Sequence, residues 1–164
     1  MSVQLCPQPE AISRLDQLAE RGVVDRDASV IASGSIDIEA STQRVWALLA
    51  DVTNWPSIRS DVGEVFFDDI PRRGAVFTWS TGGVPLQSRF AIVEPGNRLT
   101  WTTVATGLGA VHVYRFETIE TGRTRILAEE SMDAPAAPQL NSAILAVQIR
   151  TWLEGIKALA EQGA

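Results

Sequence analysis

The chain has 164 residues, 45% of them hydrophobic and 21% charged, with a mean hydropathy of +0.04. That is the composition of one globular domain able to bury ~70% of its unfolded surface, and it excludes intrinsic disorder and collagen-like or coiled-coil fibres. Fourteen Lys and Arg against 20 Asp and Glu leave a net charge of −6, the wrong sign for a nucleic-acid surface that works by counterion release. One His and one Cys exclude an internal disulfide and a zinc site built from several such ligands. No stretch offers about 20 consecutive apolar residues for a membrane span. No metal and no cofactor are implied, and neither nucleic acid nor stable membrane insertion is expected. The opening Met-Ser-Val-Gln-Leu-Cys-Pro lacks the basic-then-apolar pattern of a secretory signal, and Cys6 sits too early for a lipidation site behind one. A reducing, cytoplasmic location is therefore expected.

In chain order, Ile12, Leu15, Leu18 and Ala19 recur at helical spacing and Gly22 stands where a C-terminal cap belongs, so a helix is predicted over 9–21. Residues 1–29 read as a helical appendage on the outside of the main domain, with a lid or a dimer contact as the sharper alternative. Both monomer and homodimer are compatible with this. Residues 30–39 alternate in their second half, with Ile36 and Ile38 on one face, and predict a strand. Ser41 offers an N-cap to a helix whose stripe is Val45, Trp46, Leu48, Leu49 and Val52. It is expected to end before Trp55-Pro56, with a second short helix near 56–60.

Six runs then follow at 63–69, 74–81, 85–94, 98–106, 109–119 and 123–132, rich in Val, Phe, Thr, Trp and Ile and separated by Gly, Pro and Asn. Short turns make successive strands antiparallel neighbours, and with the first strand they predict a seven-stranded sheet. After the prolines at 135 and 138, a long helix to about Gln162 carries the stripe Leu145, Ile149, Trp152, Ile156 and Leu159. Leu140, Ile144 and Val147 widen its apolar surface at the start. No βαβ alternation occurs, so the class is α+β, with a curled antiparallel sheet gripping one long C-terminal helix. An arrangement of that kind leaves room between sheet and helix for a small molecule.

The stretches VWALLADVTNWPSI (45–58), GAVFTW (74–79), EPGNRLTW (94–101), HVYRF (112–116), GRTRILAEES (122–131) and WLEGIKALAE (152–161), in that order and spacing, resemble the helix-grip superfamily. This is the START-like or SRPBCC group, and the resemblance is to its polyketide cyclase/dehydrase and lipid-transport branch. It covers residues 31–162 and implies a helix-grip domain over 30–164. It also implies an apolar cavity that takes lipids, polyketides, sterols or hormones, and it leaves activity open because fold does not decide function.

Strand alternation selects the residues that reach such a cavity. Ala110, His112, Tyr114 and Phe116 share one face; Val111, Val113, Arg115 and Glu117 share the other, whose two charges predict that it faces water. Glu130 lies on the inward set of the next strand. A His, a phenol and a carboxylate are what proton abstraction beside a ketone requires: His112 as base or acid, Tyr114 as donor to the enolate oxygen, Glu130 as the orienting partner. Trp79, Phe77, Phe90, Trp101 and Leu99 are candidate cavity lining from the sheet, and Ile144, Leu145 and Gln148 from the helix, with Asn141 beside them. Arg59 and Arg89 are candidates to hold a ligand carboxylate. Two functions follow: binding of a small hydrophobic ligand (lipid, polyketide or other aromatic or apolar metabolite), or a cyclase/dehydratase-type enzyme using His112, Tyr114 and Glu130. The small number of inward ionisable groups favours binding.

Overall fold

The computed structural model describes residues 9–135 and 137–162, with residues 9–13 described by backbone alone. Cys6 and the side chain of Ile12 lie outside the described residues. The elements run α1 (Pro9–Glu20), β1 (Val30–Ile38), α2 (Thr42–Ala50), a short 3-10 turn (Val52–Asn54), α3 (Trp55–Ile58), β2 (Val76–Thr81), β3 (Val84–Glu94), β4 (Arg98–Ala105), β5 (Leu108–Glu120), β6 (Arg123–Asp133) and α4 (Ser142–Glu161). One antiparallel sheet has the order β1-β6-β5-β4-β3-β2. The chain leaves β1 at one edge, travels through α2 and α3, and re-enters at the other edge as β2, from which the meander returns strand by strand.

Among the described residues the sheet has six strands, not seven. Residues 62–69 meet β2 at two isolated bridges, Val62 with Thr81 and Phe66 with Thr78. Asp68, Asp69 and Pro71 follow directly, and acidic residues and proline are poor ladder members, so pairing cannot propagate. The helix boundaries move for similarly local reasons. Trp55-Pro56 opens α3 instead of only ending α2, because Pro at the first helical turn loses no hydrogen bond. Helix α4 starts at Ser142, four residues after Pro138, where the Asn141 side chain accepts from the Ile144 N–H at 2.9 Å.

Helix α4 covers the inner face of the sheet with Leu145, Ile149, Trp152, Leu153 and Ile156, all buried. The main core lies between them and Trp55, Phe77, Phe90, Leu99, Trp101, Tyr114 and Ile126. The outer face is also covered. Val111 and Val113, expected to face water, are buried together with Ala91 beneath Leu15, Ala19 and Val24 of the N-terminal segment. Helix α1 stops as the sequence suggests, with Gly22 at φ +70° and the Val23 N–H bonded to Leu18 C=O at 3.1 Å, a left-handed glycine cap. Its polar side meets threonines that alternation turns outward: Thr100 donates to Ala19 C=O at 2.8 Å and Thr102 to Asp16 at 2.9 Å.

Asp25 is the main polar anchor after α1. Its buried carboxylate accepts two bonds from Arg14, at 2.9 and 2.8 Å, and its own N–H donates to Ser131 Oγ at 2.9 Å. The Arg14 hydrogen bonds hold the Asp25 carboxyl below its ordinary value of 3.8, against the opposing effect of burial. A depressed folded-state value means that the stabilisation is present above the unfolded value and is lost as pH falls below it. Asp25→Asn is accordingly expected to lower stability by about 1–3 kcal/mol at neutral pH. The gap from the native protein should close in denaturant titrations carried out progressively below pH 4; a gap independent of pH in that range would show that the charge is not what anchors the segment.

Candidate functional site

Between the inner face of the sheet and the first turns of α4 lies a cavity of about 370 Å³, within the range of small-molecule sites. Its walls come from α3, β2, β3, β4, β5, β6, α4 and the segment before α4, so residues distant in sequence meet there. Trp55 is the hub of its aromatic side. The Trp55 ring lies 5.2 Å from Phe77 and 5.0 Å from Trp79, 5.3 Å from Trp101 and 5.1 Å from Trp152, and its N–H donates to Leu49 C=O at 2.9 Å. The Trp101 indole is nearly parallel to both His112 (4.8 Å, 13°) and Tyr114 (5.0 Å, 16°). Exposed Val84 and Ile144 stand at the rim.

His112 and Glu130 are direct cross-strand partners, with His112 Nδ1 3.2 Å from Glu130 Oε2. The other ring nitrogen, Nε2, is 3.0 Å from Thr103 Oγ1. Thr103 in turn is 2.9 Å from Ser88 Oγ, which accepts the Trp79 indole N–H at 2.9 Å. Tyr114 is fully enclosed. Burial first, then the negative charge of Glu130, pushes its phenol well above 10.0, with Arg59 pulling the other way. The phenol is therefore a protonated donor across the physiological range. Arg59 is clamped between Asp61 and Thr81, with a 2.7 Å bond to Thr81 Oγ1, and its guanidinium lies 5.4 Å over the Trp152 ring. The indole N–H groups of Trp101 and Trp152 are buried without a partner among the described residues, and both side chains line the cavity.

Of the residues proposed from sequence, Arg59, Trp79, Trp101, His112, Tyr114, Glu130, Ile144 and Gln148 line this cavity. Four do not. Phe77 and Phe90 point inward but are 1% exposed and pack on each other at 5.0 Å, away from the mouth, because position along a strand, not only its face, decides what reaches a cavity. Leu145 is likewise core, on the side of α4 turned into the sheet. Arg89 lies on the outer face, 3.4 Å from Asp16 of α1, as the parity opposite to Phe90 requires. Leu99 is core and Asn141 is a helix cap.

Sequence reasoning missed Trp55, Trp152, Thr103 and Ser88 as parts of the site. The last two carried a usable signal, since each is a polar residue on the inward parity of its strand. No such signal existed for Trp55, whose place depends on α3 docking. Among the described residues no three His, Cys, Asp or Glu side chains group as metal ligands, and no helix is long and apolar enough to cross a membrane.

Solved structures repeat this architecture. The hypothetical protein jhp0584 from Helicobacter pylori matches with a TM-score of 0.73 at 19% identity, over 98% of this chain and 99% of its own. The Zhui aromatase/cyclase from Streptomyces sp. R1128 matches with 0.68 at 16% identity, over 80% and 93% of the two chains. A START superfamily protein from Mycobacterium smegmatis matches with 0.67 at 7% identity, over 82% and 99%. At such identities the likeness is one of fold. No curated protein matches the chain in sequence. The family described as polyketide cyclase/dehydrase and lipid transport matches residues 29–161, and with the helix-grip arrangement of sheet, cavity and α4 this makes the chain a member of that family.

Proposed function

We propose that the protein binds one small, mostly apolar molecule, a lipid, polyketide or other aromatic or apolar metabolite, in the cavity between the sheet and α4. The observation that carries this reading is the cavity itself: about 370 Å³, with four indoles and eight aliphatic or Met side chains making up most of a lining of twenty residues. Trp79 and Trp101 would contact the apolar body, and Gln148 and Arg59 would take polar groups near the mouth. The family's description supports a ligand of this class.

The cyclase/dehydratase-type alternative asks His112 for an open ring nitrogen. Nε2 is bonded to Thr103 and Nδ1 faces Glu130, which supports binding over direct proton abstraction from a ligand by His112.

The reading is tested by titrating anilinonaphthalene sulfonate into the native protein and into Ile144→Trp. Ile144 stands at the rim and is 40% exposed, so a larger side chain there narrows the mouth without disturbing the core. Saturation at one site with Kd near 1 μM, which is about −8 kcal/mol, and at least a tenfold weakening (about 1.4 kcal/mol) in Ile144→Trp are expected. No saturable binding, or equal binding by the two proteins, would refute the cavity as the site.

A further inference from the structure

A line of polar side chains crosses the inner face of the sheet with one member on each of five adjacent strands: Trp79 on β2, Ser88 on β3, Thr103 on β4, His112 on β5 and Glu130 on β6. Its direction follows from its ends. An indole N–H can only donate, so Ser88 accepts from Trp79, and a carboxylate can only accept. With hydrogen on His112 Nδ1, facing Glu130, Nε2 is the acceptor. Thr103 then donates to Nε2 and accepts from Ser88, and every hydroxyl in the line both gives and receives one bond. The opposite tautomer would set a bare Nδ1 lone pair against Glu130 Oε2 at 3.2 Å and leave the Ser88 hydrogen without this partner.

His112 thus has no nitrogen left for a ligand. Glu130 does have acceptor capacity, because its only ion-pair contact among the described residues is His112 while it lines the cavity. Its side chain is 12% exposed, so an apolar occupant would strip the remaining water from a carboxylate and return nothing, an unfavourable exchange. Tyr114, two residues along β5 from His112 and diagonal to Glu130 in the register, offers a phenol donor into the same space. A hydroxyl satisfies both, donating to Glu130 and accepting from Tyr114; an ether can only accept.

We propose that the cavity selects ligands carrying a neutral hydroxyl at the end that meets Glu130, and that His112, set by Thr103 and Ser88, is a positioning residue for that carboxylate. This rests on the cavity being the binding site.

The test compares β-naphthol with its methyl ether by calorimetric titration of the native protein, Glu130→Met, Thr103→Val and Thr103→Ser. The ring nitrogens of the single histidine, read by NMR on nitrogen-labelled protein in alkaline buffer, give the tautomer. The native protein should prefer the naphthol by about 10-fold or more, as expected for a hydrogen bond to a charged group, with an Nδ1–H ring. Glu130→Met should bind the two probes alike. Thr103→Val should give mixed tautomers and a several-fold smaller preference, with the affinity for the ether unchanged, and Thr103→Ser should restore both. A merely structural Thr103 would instead weaken both probes together. Equal binding of the probes by the native protein overturns the selection while leaving the cavity as a site. An Nε2–H ring in the native protein, or one unaltered in Thr103→Val, overturns the positioning role. Binding of neither probe overturns the selection together with the cavity reading.

Discussion

Trp55→Ala is expected to lower the unfolding free energy by about 3–5 kcal/mol, the range for removing a buried tryptophan. Trp55 is fully buried, and four other aromatic rings lie within 5.3 Å of it. Its loss leaves a void where α3, β2, β4 and α4 converge, and removes the donor to Leu49 C=O. Packing of this density cannot relax cheaply, because each neighbouring ring is itself held by a strand or helix. Urea denaturation with an unchanged m-value checks the prediction. A loss below about 1 kcal/mol would mean that the ring cluster does not organise the core. Probe binding should fall with stability, since the same ring forms the floor shared by core and cavity.

The second large effect is expected at Gly155→Ala. In a helix interior this exchange ordinarily stabilises by up to about 1 kcal/mol, yet here the added Cβ would stand 2.0 Å from Ile58 C=O oxygen and 2.9 Å from its carbon. Both atoms are backbone and cannot rotate aside, so α3 and α4 must separate. Destabilisation of about 2–3 kcal/mol is expected, as for overpacking in a tight interior. Arg59 follows Ile58 directly, and moving α3 moves its guanidinium off the Trp152 ring. The affinity for anilinonaphthalene sulfonate should therefore drop in the folded variant. A stabilised Gly155→Ala protein would show that α3 is not seated on α4, and with it that the mouth is built differently.

The shape of the cavity depends on side chains whose burial is decided from both sides of the sheet. Strand β4 is buried from Leu99 to Thr103 without interruption, because α4 and Trp55 cover one face and α1 covers the other. Threonines at 100 and 102 are tolerated there because Ala19 C=O and Asp16 accept their hydroxyl hydrogens. The N-terminal helix is thus stacked behind the strand that presents Trp101 and Thr103 to the cavity, which gives that wall a rigid backing.

What the sequence determined by itself is what depends on local repetition. The stripe Leu145, Ile149, Trp152 and Ile156 has one helical period, the strand runs alternate, and Gly22 ends α1, so element types and their antiparallel order could be read without contacts. Parity also sufficed to turn His112, Tyr114 and Glu130 inward. Only tertiary structure decided the rest. Whether Val111 faces water depends on where α1 lies, and whether 63–69 becomes a strand depends on more than two residues finding partners on β2. Phe77 and Trp79 share one face, yet only Trp79 reaches the cavity, since its position along β2 sets it against open space. Nor can periodicity show that Thr103 occupies His112 Nε2. That contact joins two adjacent strands through side chains, in a register set by how β4 and β5 pair.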